Sequence, residues 1–253
     1  MAQAVNPPPD GGYPGGNTAE GTAALSSVNG GFYNTAVGIY SLLSLTDGSF
    51  NTAIGAGALL SNVGGSSNTA TAAFALFNNA GTASAQNPTG IFFGSFNTAT
   101  GDRALFSNIN GSSNTANGVG ALMANTTGND NTAIGVSALA QNTTAEDNTA
   151  VGIVALFGNT IGTQNTATGS SALHNSNTGS DNTADGFQAL SSNTSGDRNT
   201  ATGWQALFSN TGANNNTAHG YQALQANINA GNNTGIGFLK PSKLIQPETP
   251  TPP

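Results

Sequence analysis

The 253-residue chain carries four basic and eleven acidic residues, a formal net charge of -7, and only 6% of it is charged, against ~25% in ordinary globular proteins. No basic patch exists to neutralise phosphates or anionic headgroups, so neither nucleic-acid binding nor membrane insertion is expected. With no cysteine there are no disulfides or thiolate metal sites, and no run approaches the ~18 apolar residues of a membrane span.

In chain order, residues 1–16 form a Pro- and Gly-rich arm, with Asn6-Pro7-Pro8-Pro9 reading as extended. From Asn17 a tripeptide, Asn-Thr-Ala or Asn-Thr-Gly, recurs at Asn34, Asn51, Asn68, Asn97, Asn114, Asn131, Asn148, Asn165, Asn182, Asn199, Asn216 and Asn233. The interval is always 17 residues except for the 29 between Asn68 and Asn97. The unit reads N-T-A-x-G-x-x-A-L-x-x-N-x-x-G-x-x, loosest in its second half. It is too short for a helix pair, and Asn, Thr and Gly are poor helix formers. An all-β, parallel β-solenoid of about thirteen 17-residue coils over residues 17–240 is therefore expected, each coil ~4.8 Å from the next. The twelve extra residues after Asn68 predict an extruded loop at about 85–96. Pro241 cannot donate to a ladder and predicts the end of the solenoid, with 241–253 as a Pro-rich tail.

Within a coil, one strand is expected at N-T-A-x-G and a second around x-x-A-L-x. Leucine fills the ninth position in twelve consecutive units, and small residues fill the third, fifth and nearly all eighth positions. These columns are expected to face a thin core, so that Ala133, Gly135 and Leu139 point inward while Thr132 and Ile134 point outward. The recurring Asn, as at Asn131, is expected to form an amide ladder along one corner. Gly at the fifth position is read as a bend that needs positive φ or tight packing rather than as a phosphate loop.

The unit, as in Asn131-Thr132-Ala133-Ile134-Gly135-Val136-Ser137-Ala138-Leu139, resembles the short repeats of trimeric autotransporter adhesin heads, which are left-handed parallel β-rolls. It is also similar to Asn-Thr-Ala-Gly repeat regions of bacterial and phage-like surface fibres. The resemblance covers nearly all of residues 17–238 and implies an extracellular fibre or adhesin, often a homotrimer. Two departures stand out: a period longer than the adhesin head's usual unit, and no coiled-coil stalk, membrane anchor or self-cleaving chaperone domain in this sequence.

Candidate chemistry is sparse. His174 and His219 fall at different positions of their units, about three coils apart, and cannot share a metal. Asp102-Arg103, Glu146-Asp147 and Asp197-Arg198 fall at bends and read as solvated turn residues. No catalytic residue, metal or cofactor is therefore expected, and the chain does not read as an enzyme. Two stripes remain. The sixth position is aromatic in four successive units, Phe187, Trp204, Tyr221 and Phe238. This stripe is expected to pack internally or against another subunit, the alternative being stacking on surface glycans. The outward threonines, Thr18 to Thr234, form a file like the ice-binding face of antifreeze solenoids, although Glu20, Asp185 and His219 interrupt the neighbouring rank.

The expected function is an extracellular, cell-surface structural or adhesive fibre module that self-associates end to end, because the first unit already matches the consensus and no cap precedes it. An ice-binding solenoid is the alternative.

Overall fold

The computed structural model describes residues 13–81, 93–176 and 178–238. Each repeat contributes one three-residue strand: β1 (Thr18–Glu20), β2 (Thr35–Val37), β3 (Thr52–Ile54), β4 (Thr69–Thr71), β5 (Thr98–Thr100), β6 (Thr115–Asn117), β7 (Thr132–Ile134), β8 (Thr149–Val151), β9 (Thr166–Thr168), β10 (Thr183–Asp185), β11 (Thr200–Thr202), β12 (Thr217–His219) and β13 (Thr234–Ile236). They form a single parallel sheet in sequence order. The register sets Thr on Thr and, until β13 places Gly235 on Ala218, Ala on Ala. The chain is thus a β-solenoid.

The longer interval leaves the stacking intact. β4 pairs with β5 in the common register, Thr69 on Thr98, and the Gly94 carbonyl accepts the amides of Asn68 and Asn79 just as the equivalent glycine does in other coils. Most of the loop expected at about 85–96, the tail at 241–253 and residues 1–12 of the arm lie outside the described residues.

Alternation across the strand is as expected: Ala133 is fully buried, Ile134 is 42% exposed and Thr132 is half-buried. The expected second strand is not formed. Ala138 and Leu139 are both fully buried, which a flat strand forbids because consecutive side chains point to opposite faces. The corner resolves this with left-handed residues: Ser137 has φ 55° and Leu139 φ 51°, and every leucine of the ninth column from Leu25 to Leu224 shares that conformation. Non-glycine residues in this region are strained by ~1 kcal/mol or more. The strain is offset by burial of the leucine and by hydrogen bonds that leave the corner in both directions, Ser137 N–H to the Val119 carbonyl of the preceding coil (2.9 Å) and Leu139 N–H to the Ala155 carbonyl of the following one (3.0 Å).

Gly135 departs from its expected inward position. It is half-buried at the bend after β7, with φ 133°, and a Cβ there would lie 2.5 Å from the Gly152 carbonyl oxygen of the next coil. Backbone conformation and close approach of stacked coils, not core packing, require glycine at this position.

The β1 end is also not bare, contrary to expectation. Pro14–Gly16 make a 3-10 turn, Tyr13 is half-buried against the core and bridges to Asn17, and the Pro14 carbonyl accepts the Asn17 amide at 2.7 Å. An aromatic ring and a turn carbonyl thus cover part of the first coil.

Candidate functional site

The interior is a polar spine flanked by apolar columns. The Asn131 amide donates to Asn114 Oδ1 (3.1 Å) and to the Ala145 carbonyl (2.8 Å), while its own Oδ1 accepts the backbone N–H (3.1 Å) and the amide (3.2 Å) of Asn148. The side chain therefore uses its full bonding capacity while 0% exposed. From Asn34 to Asn233 every repeat Asn donates its backbone N–H to the Oδ1 of the Asn one coil earlier. The ladder expected from the sequence is present, its backbone rungs complete and its amide-to-amide rungs made at every step but one, where the Asn165 amide bonds the Gly179 carbonyl instead of Asn148.

Two further files were not anticipated. Asn at the twelfth position builds a second buried ladder: the Asn125 amide donates to Asn108 Oδ1 (2.8 Å) and to the Gly128 carbonyl (3.0 Å), which also accepts Asn114 from the first ladder (2.8 Å). The two ladders are tied in this way through one carbonyl in each of eight coils, from Gly65 to Ala213. At the sixteenth position short polar side chains accept the backbone N–H of the coil before, as with Ser66 for Ser49 (3.1 Å), Asn129 for Ser112 (2.8 Å) and Asp197 for Ser180 (2.9 Å). The sequence signal was the recurrence of Ser, Asn and Asp one residue before the corner, hidden because no single residue type dominates it.

On the surface, the threonine file runs the length of the sheet in register, and beside it the fourth-position rank mixes Ile134, Val151, Thr168, Asp185 and His219. The aromatic stripe faces outward rather than into the chain's own core, the exposure that packing against another subunit would require. Phe187, Trp204, Tyr221 and Phe238 stack face to face, with centroids 6.2, 4.8 and 5.0 Å apart and planes within 17°. Ile39, Val119, Val136 and Ile153 upstream in the same column are exposed too. Because neighbouring rings occupy each other's faces, the stripe shows mainly ring edges to solvent, a poor platform for sugar rings. Beside it Gln188, Gln205 and Gln222 hydrogen-bond in a ladder (2.8 and 3.2 Å). A second apolar patch is lined by Phe74, Phe77, Phe106 and Met123, with Phe77 and Phe106 stacked at 5.2 Å.

The ionisable residues stay apart. His174 stacks on Phe157 at 5.4 Å, while His219 sits on β12. Asp102 and Arg103 make an exposed ion pair of 3.9 Å. Glu146 accepts the Asn129 amide at 2.8 Å, so one of the turn carboxylates, like Asp197, links adjacent coils. Among the described residues no group of three His, Asp or Glu side chains is placed to hold a metal ion, and no helix is long and apolar enough to cross a membrane. The chain matches no protein-family model, no curated protein and no solved structure.

Proposed function

We propose that the chain is an extracellular structural rod, a fibre or adhesive surface module that associates with copies of itself. The observation that supports this reading is the first Asn ladder, whose backbone N–H rungs run unbroken through all thirteen repeats and commit the interior to holding one coil on the next. A solenoid stabilised only by nearest-neighbour contacts gains length without needing a larger core, which suits a spacer or fibre element. Association is assigned to the β13 end and the exposed apolar columns: β13 pairs only with β12 among the described residues, Phe238 is 67% exposed, and the β1 end bears the Tyr13 turn. Electron microscopy with sedimentation velocity tests the proposal. Filaments or discrete oligomers are expected, and strictly monomeric sedimentation at high concentration overturns it.

The in-register threonine file supports a second reading, an ice-binding face. Its mixed neighbouring rank, with Asp185 and His219 beside Thr183 and Thr217, works against a regular two-dimensional array. Thermal hysteresis at micromolar protein, abolished by Thr132→Tyr, would place this reading first; no hysteresis is expected.

A further inference from the structure

The two ends of the solenoid are different pieces of one coil. Counted back from Asn17, residues 13–16 stand at positions fourteen to seventeen of a level that precedes the first repeat, and they are built as coil. The Tyr33 N–H donates to the Gly15 carbonyl (2.9 Å), the bond that Phe50 makes to Phe32 (2.9 Å) one coil later. Gly16, with φ 70°, repeats the left-handed backbone of Tyr33 (φ 55°) and Phe50 (φ 60°) in the column it begins, and a Cβ there would lie 3.0 Å from the Tyr33 ring. The Asn17 amide takes the Pro14 carbonyl three residues back (2.7 Å), as the Asn233 amide takes the Ala230 carbonyl (2.8 Å).

At the other end residues 233–238 fill positions one to six of the last coil. The Thr217 N–H donates to the Asn233 carbonyl (2.8 Å), the Gly237 N–H donates to the His219 carbonyl (2.8 Å), and the Phe238 ring stacks on Tyr221. Past position six the repeat pattern ceases, with Lys240 and Pro241 where other coils have Ala and Leu. The outer side of this half-coil is open among the described residues: a Cβ on Gly220 would lie 2.5 Å from the Gly237 carbonyl oxygen, whereas one on Gly237 meets nothing within 4 Å. Positions seven onward of the last coil, and positions up to thirteen of the level before Asn17, lie outside the described residues.

We propose that copies of the chain join head to tail, β1 of one continuing the sheet from β13 of another, and that each junction contains a composite coil made of residues 233–238 of the first copy and residues 13–16 of the second. The two pieces occupy different positions of the same level, so they add without overlap. The Asn233 amide then meets the Pro14 carbonyl of the second copy, as the Asn131 amide meets the Ala145 carbonyl within its own coil. Two β13 ends set face to face would instead supply the same six positions twice and run antiparallel, against the parallel register of every other step. An open strand edge accepts a further strand, and a head-to-tail contact that does not close on itself gives a filament. This junction rests on the self-association proposed above and names its two surfaces.

Because the chain has no cysteine, disulfide trapping tests the junction directly. Thr18 and Thr234 are both exposed, and across the junction they become in-register neighbours about 4.8 Å apart, within the ~4.4–6.8 Å Cα separation a disulfide spans. When full-length Thr18→Cys and Thr234→Cys chains are mixed and oxidised, the disulfide-linked pair of unlike chains is expected well in excess of the share that random collision gives. Electron microscopy is expected to show an axial repeat of about 62 Å, the thirteen strand levels at ~4.8 Å each. Thr234 linked mainly to Thr234, unlike pairs no more frequent than random collision, or a repeat one level longer at about 67 Å overturns the composite coil while leaving self-association standing. Strictly monomeric sedimentation overturns both.

Discussion

The two asparagine ladders lie in the same interior and share a carbonyl in eight coils, yet one is invariant and the other is not. The first keeps Asn in every repeat; the second has Val28 and Leu45 in its first two coils and Ser176 later. The difference lies in what each Oδ1 accepts. In the first ladder it takes a backbone N–H of the next coil as well as an amide, as Asn131 does from Asn148. In the second ladder the backbone N–H is satisfied within its own coil, Asn125 N–H to the Leu122 carbonyl at 3.1 Å, so the side chains bond chiefly to each other. Replacing a first-ladder Asn orphans buried backbone, whereas replacing a second-ladder Asn by an apolar residue removes a bond between two side chains and leaves the backbone paired.

The strongest test of this contrast is Asn131→Leu. It leaves the Asn148 N–H without an acceptor and removes the carbonyl group that took its amide, so a loss of about 3–5 kcal/mol is expected. Hydrogen exchange of the amides on both sides of β7 checks this locally, since a repeat array need not unfold in one step. Next is Leu139→Ala, which truncates the only large side chain its coil places in the core and should cost about 2–5 kcal/mol. Comparable exchange protection in Leu139→Ala and the parent would show that the ladders alone hold the coil. A smaller effect, about 1–2 kcal/mol, is expected for Asn125→Leu, because Leu45 already occupies the equivalent place fully buried. If Asn125→Leu destabilised as much as Asn131→Leu in urea unfolding, the distinction between the ladders would fall. Smallest is Thr132→Ala, on the outward face of β7, expected to shift stability by less than about 1 kcal/mol; equality with Leu139→Ala would reverse the assignment of inside and outside.

Much of this was legible in the sequence because repetition turns weak local signals into columns. Leu139 and Ala133 identified themselves as core by the constancy of their columns, and Asn131 as a ladder by its invariance at a fixed interval. The corner at Ser137 and Leu139 was not legible. Neither residue favours a left-handed backbone, and although the constancy of both columns marked Ala and Leu as core, nothing in the run Ala-Leu shows that a left-handed corner rather than a strand turns both inward. The Tyr13 turn was missed for a similar reason: a single tyrosine in a Pro- and Gly-rich arm becomes a cover only where the first coil offers it an apolar end. For Phe187, Trp204, Tyr221 and Phe238 hydrophobicity did not decide between the chain's own core and an outward interface, and the rings stack outward, protecting one another's faces at the surface.

By itself the sequence determined the 17-residue period, the parallel in-register stacking and the separation of Thr from Ala and Leu, since these follow from covalent spacing and from side-chain alternation along a strand. Tertiary structure alone decided how each coil closes, through residues such as Leu139 held left-handed by bonds to both neighbouring coils. It also decided which of two similar asparagine columns is indispensable, because that depends on whether an Oδ1 meets a backbone N–H from another coil, a relation between segments that no residue's own identity contains.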